Sequence, residues 1–131
     1  SQPWSAVIIT RSSSPIFSIS WATGTGPNDF ECVYYNELTG QVSKKFIAPR
    51  GTDGVRIAYG SADQKKVIVR ELFKKDGYSK EYTLENATAN KNGDIIMGGN
   101  LAVDKKTVVI SYLATIEGKQ ESRHITVKLY E

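Results

Sequence analysis

The sequence predicts an all-β fold: three antiparallel β-meander repeats of about 40 residues, propeller-blade-like and closed by oligomerisation. Three observations point there. Short apolar and β-branched runs alternate with turn-forming clusters along the whole chain. A strand motif recurs at a fixed step: Ile19-Ser20-Trp21, Ile57-Ala58-Tyr59 and Ile95-Ile96-Met97 lie 38 residues apart. A glycine then follows the second strand of each unit at Gly40, Gly77 and Gly118.

The elements follow in order. Strand-like runs cover 6–10, 16–21, 30–35, 55–59, 67–73, 107–113 and 124–130. Turn clusters at 12–15, 24–29, 50–54 and 89–94 separate them. The second strands align as Cys32-Val33-Tyr34-Tyr35, Val69-Arg70-Glu71-Leu72 and Ile110-Ser111-Tyr112-Leu113. Third strands follow at 42–47, 78–84 and 121–127.

One stretch competes for helix. Ser61-Ala62-Asp63-Gln64 resembles a capping box, and Ile68, Val69, Leu72 and Phe73 share a helical face. The β-branched Val67-Ile68-Val69 and the hairpin signal Asp76-Gly77 favour strand. The expected organisation is one all-β domain over 1–131, with an N-terminal strand at 4–10 and repeats over 14–51, 52–91 and 92–131.

A meander of this size cannot close its own edges, and three blades are too few for a closed propeller. The blade reading therefore requires further copies of the chain. The surplus N-terminal strand around Trp4 would complete the last blade as a clasp. A β-trefoil or a β-sandwich are the alternatives.

Composition narrows the function. Seventeen Lys and Arg against fourteen Asp and Glu leave a net charge of +3, without the basic stripe of a nucleic-acid surface. A single cysteine, Cys32, excludes an internal disulfide, and a single histidine, His124, leaves little for metal or triad chemistry. No cofactor is expected. No run approaches the ~20 apolar residues of a membrane helix. No signal-peptide pattern is visible, which predicts a cytoplasmic or unconventionally secreted protein. Gly24-Thr25-Gly26 lacks the Lys and the helix of a phosphate loop.

The first unit, Phe17-Ser18-Ile19-Ser20-Trp21-Ala22-Thr23-Gly24 with Val33-Tyr34-Tyr35-Asn36-Glu37-Leu38-Thr39-Gly40, resembles a blade of the fungal fucose-specific lectins. These are the Aleuria-type six-bladed β-propellers. The resemblance implies sugar sites between adjacent blades, each with an Arg, a Glu and an aromatic ring. By position the Arg falls at Cys32, Val69 and Ile110, and the Glu at Lys44, Glu81 and Ser122. Only Glu81 matches. Arg70 lies one residue off, which reverses its face in a strand.

Sugar binding needs an aromatic face beside planar hydrogen-bonding groups. Trp21, at the mouth of a polar loop, and Tyr59, its repeat equivalent, are candidate platforms that compete with a role in core packing. Tyr34 and Tyr35 are consecutive, so one faces outward. Arg70, Glu71 and Glu81 are candidates for a hydroxyl-binding cluster, or else form a cross-strand ion pair.

The expected function is non-catalytic, multivalent carbohydrate binding in a defence or recognition role, with a homo-oligomer presenting several glycan sites. The alternative is a small all-β protein-interaction module, an effector or inhibitor without a sugar site. An enzyme ranks third, for want of an acid/base pair, a nucleophile or a metal set.

Overall fold

The structure is a computed structural model that describes residues 7–130. Eleven strands follow one another: β1 (Val7–Ser13), β2 (Ile16–Ala22), β3 (Phe30–Asn36), β4 (Phe46–Ile47), β5 (Gly51–Thr52), β6 (Arg56–Gly60), β7 (Lys66–Glu71), β8 (Ser79–Thr83), β9 (Ile96–Leu101), β10 (Thr107–Ile116) and β11 (Lys119–Lys128). Among the described residues there is no helix. The strands form three antiparallel meanders: β1-β2-β3-β4, β5-β6-β7-β8 and β9-β10-β11. The all-β class and the repeated meanders are those the sequence predicts.

The repeat reappears in the registers of the first two units, where Ile19 pairs with Val33 and Ile57 with Arg70. In the third the register is shifted by two: Leu113 N, not Ser111 N, donates to Ile95 O at 2.9 Å. The stretch that competes for helix is turn and strand. Gln64 has a φ of 61°, a left-handed value that a right-handed helix cannot contain. Asp63 Oδ1 accepts from Lys65 N at 3.0 Å and from Ser61 Oγ at 2.7 Å, which closes the β6–β7 turn.

The N-terminal strand departs from expectation. Strand β1 pairs with β2 of the first sheet, Val7 opposite Trp21, rather than completing the last one. Residues 4–6 of the predicted strand, Trp4 among them, fall outside the described residues.

The middle sheet is covered on both faces. Ala58, Val67 and Val69 point toward the third sheet and pack with Ile96, Val108, Ile110, Val127 and Leu129. Ile57 and Leu72 point toward the first sheet and pack with Ile16, Cys32, Tyr34 and Phe46. Fully burying each such aliphatic or aromatic side chain contributes about 1.5–3 kcal/mol, so these two layers hold the fold together. Tyr82 ties the second and third sheets: its hydroxyl accepts from Lys128 N at 3.0 Å and donates to Lys128 O at 3.3 Å. Arg56 anchors the chain's end, donating to Leu129 O at 3.0 Å with its guanidinium over the rings of Tyr78 and Tyr130.

The facing of equivalent positions is uneven. Cys32 points at the second sheet and Val69 at the third, but Ile110 points back at the second. One rotation therefore carries the first sheet onto the second without carrying the second onto the third.

Candidate functional site

Four connections converge at one end of the stack. They are the β2–β3 loop, the link from β4 to β5, the β6–β7 turn and the loop before β9. They enclose a cleft of about 550 Å³. Phe46, Tyr59 and Ile96 give it apolar surface, and Asn28, Arg50, Gln64 and Asp94 give it polar groups.

Local sequence chemistry positions each group. In the β2–β3 loop Asp29 Oδ2 accepts from Gly26 N at 2.9 Å, and Asp29 O accepts from Thr23 N at 2.8 Å. A Cβ on Gly24 would stand 2.5 Å from that carboxylate oxygen, so glycine is required for the turn. This fold of the loop delivers Asn28. In the loop before β9, Asn90 Oδ1 accepts from Asn92 N at 2.8 Å and Asp94 N at 2.9 Å, which delivers Asp94.

Asn28 Nδ2 then donates to Gln64 Oε1 and to Asp94 Oδ1, each at 2.9 Å. Gln64 Oε1 also accepts from Ile95 N at 3.0 Å and Ile96 N at 3.1 Å. One amide thus knits all three sheets together. Asn28 Oδ1 is buried and has no hydrogen-bond partner among the described residues.

Arg50 follows Ala48, a buried residue with a φ of 46°. Its backbone N donates to Ala58 O at 2.7 Å. Gly99 gives it room: a Cβ there would stand 2.6 Å from Arg50 Cβ. The side chain is only 9% exposed, and Nε has no partner among the described residues. Burial pushes the basicity of the guanidinium down, and the charge of Asp94 partly restores it. Two non-glycine residues in left-handed conformation, Ala48 and Gln64, line this one cleft. Such conformations cost about 1–3 kcal/mol each and cluster at binding sites.

At the rim, Lys44 Nζ lies 5.2 Å from the centroid of the Phe46 ring and 5.3 Å from that of Tyr59. Lys45 reaches Glu31 at 3.5 Å.

Of the predicted site residues, only Tyr59 lines this cleft. Trp21 lies half-buried on the outer face of the first sheet, its Nε1 donating to Glu31 Oε1 at 3.0 Å. Tyr35 shares that face. Tyr34 is the inward member of its pair and is buried; burial, and then Cys32, push its hydroxyl pKa above the ordinary tyrosine range. It offers no surface to a ligand.

Arg70, Glu71 and Glu81 do not form the expected cluster. Arg70 Nη2 donates to Lys74 O at 2.7 Å and also to Lys75 O, so its head group is tied to the turn after β7. Glu71 lies on the opposite face of β7, accepts from Tyr78 N at 3.2 Å and meets Lys74 at 3.5 Å. Glu81 is exposed and meets Lys66 at 3.5 Å.

Sequence reasoning missed Asn28, Lys44, Arg50, Gln64 and Asp94. All but Lys44 sit in turns, and the one signal was that the turn clusters at 24–29, 50–54 and 89–94 each contribute a polar residue. Among the described residues no three His, Cys, Asp or Glu side chains gather as a metal site. No helix long and apolar enough to cross a membrane occurs among them. Cys32 is a free, buried thiol, and burial raises its pKa.

No protein-family model, curated protein or solved structure matches this chain.

Proposed function

We propose that the chain is a non-catalytic carbohydrate-binding protein and that the cleft between its sheets is the binding site. The observation that carries this is the pairing of a nearly buried Arg50 with the half-buried ring of Tyr59 in one cleft. A guanidinium donates to ring hydroxyls, while an aromatic face covers the sugar's C–H groups. Volume supports the reading too, since about 550 Å³ suits a mono- or disaccharide.

The resemblance of 17–40 to the fungal fucose-specific lectin blades points to the same class and to a site between repeats. Lys44, at a position where that pattern has Glu, lines this cleft. The test is a glycan array with the intact chain. Selective binding is expected, lost in Tyr59→Ala and kept in Glu81→Ala, with folding checked by circular dichroism. A blank array from folded protein overturns the proposal.

A second reading, a protein-interaction module, is favoured by the outer face of the first sheet. Val7, Ile9, Phe17, Ile19, Trp21, Val33, Tyr35 and Ile47 project from that one face by register. Val7, Ile9 and Ile47 are about 60% exposed or more. A contiguous apolar face of this kind marks an association surface. We take its occupant to be a second copy of the chain. Closure as a propeller is one form of that assembly, supported by the 38-residue repeat and opposed by the reversed facing of Ile110. Sedimentation velocity should show a concentration-dependent oligomer that Ile9→Lys disperses. A strict monomer at high concentration refutes self-association.

A further inference from the structure

We propose that the cleft selects acidic sugars, with the ligand's carboxylate seated on the guanidinium of Arg50; this rests on the carbohydrate reading above. Buried arginines are nearly always paired, because an isolated charge withdrawn from water is costly. Arg50 is nine-tenths buried, yet no carboxylate lies within ion-pair distance among the described residues. Nor does its side chain donate a hydrogen bond to them.

Asp94, the one carboxylate whose charge it feels, is engaged by Asn28 Nδ2 at 2.9 Å. The residue is held by its backbone instead: by the bond from Arg50 N to Ala58 O and by the close approach of Gly99. The backbone and Cβ of Arg50 are therefore placed without using the side-chain donors, which stay available to a ligand. The planar fork of a guanidinium matches a carboxylate in bidentate geometry.

Lys45 is already paired with Glu31 at 3.5 Å. Asp29 accepts from Gly26 N and Asp94 from Asn28 Nδ2, each at 2.9 Å, which leaves Arg50 and Lys44 as the cations of the lining that face an anion. Lys44 holds a weak cation–π position over Phe46 and Tyr59. An incoming carboxylate gives Lys44 a stronger partner. Its swing away would bare the face of Tyr59, on which the sugar packs.

The test uses the unaltered full chain, titrated by calorimetry with glucuronic acid, N-acetylneuraminic acid, their methyl esters, glucose and acetate. The acids should bind at least about tenfold more tightly than their esters, since the ester keeps the sugar and removes the charge. Arg50→Lys keeps the charge and loses the fork, and should weaken the acids more than the esters, so that the acid-to-ester ratio falls toward one. Equal binding of acids and esters overturns this inference and leaves the carbohydrate reading standing. Acetate binding as tightly as the acid sugars overturns both, because the sugar then contributes nothing. No binding by any of the sugars also overturns both.

Discussion

Replacing Gln64 tests whether the cleft is held together by the network around it. Its Oε1 accepts three hydrogen bonds, from Asn28 Nδ2, Ile95 N and Ile96 N. A typical net bond contributes about 1 kcal/mol, so Gln64→Ala should cost about 3 kcal/mol. The alanine keeps the left-handed φ of 61° and whatever strain it carries. Gln64→Gly removes the same bonds but relieves that strain, which returns about 1 kcal/mol and brings the loss to about 2 kcal/mol. Urea unfolding followed by tryptophan fluorescence measures both variants. The expected order is wild type, then Gly, then Ala. If Gln64→Ala lies within about 0.5 kcal/mol of wild type, as an ordinary surface change would, the network reasoning is refuted.

Phe46→Ala should cost about 3–5 kcal/mol in the same assay, because the ring is 1% exposed and packs edge-on against Tyr34 and tilted against Tyr59. Gly99→Ala should cost about 1–3 kcal/mol and also weaken ligand binding, since the new Cβ would meet Arg50 Cβ at 2.6 Å and Arg50 O at 3.0 Å. High pH should destabilise the fold. Burial raises Tyr34 above 10.0 and Cys32 above 9.0, so the folded state keeps these protons longer than the unfolded chain. Their contribution is complete below about pH 9 and falls as pH rises beyond it. The urea midpoint should drop between about pH 9 and pH 11, less steeply in Tyr34→Phe, and an equal slope in both proteins contradicts the assignment.

The strands were legible from composition and repetition. Continuous apolar, β-branched and aromatic runs such as Cys32-Val33-Tyr34-Tyr35 and Val108-Val109-Ile110 mark strands, and the 38-residue step reports the repeat. What the pattern does not carry is which sheet covers which face. Ile110 has the same place in its repeat as Cys32 and Val69, yet it faces backward. Nothing local to the third unit encodes that reversal. The partner of β1 was equally hidden, because strand pairing is set by chain geometry rather than by the composition of the 7–13 stretch.

The cleft was illegible for a different reason. Its polar residues come from turns, where Asn, Asp, Gln and Gly are the default composition. Asn28, Gln64 and Asp94 look like ordinary turn formers until tertiary folding brings Gln64 and Asp94 each to 2.9 Å from Asn28. Arg50 sits beside Pro49 in what reads as a solvated connection, and only the close approach of Gly99 buries it. Expectation fell instead on Arg70, Glu71 and Glu81, of which strand alternation puts Glu71 on the other face from Arg70 and Glu81, while the Arg70 head group is tied to the turn after β7.

The repeat also gives meaning to the outer face of the first sheet. Ile57 and Tyr59 lie beneath that sheet, with the Tyr59 ring 5.2 Å from Phe46. Their equivalents 38 residues earlier, Ile19 and Trp21, carry the same apolar character but have no sheet above them among the described residues. Their composition suits a covered face. A second copy laid over them would place an aromatic-lined junction at Trp21, as the first sheet does at Tyr59. Trp21 would then join a binding site only in the assembled protein. Ligand stoichiometry should accordingly rise from one to two per chain as the protein passes from dilute monomer to oligomer, with the second site lost in Trp21→Ala. A constant stoichiometry of one at every concentration would show that the outer face serves assembly alone.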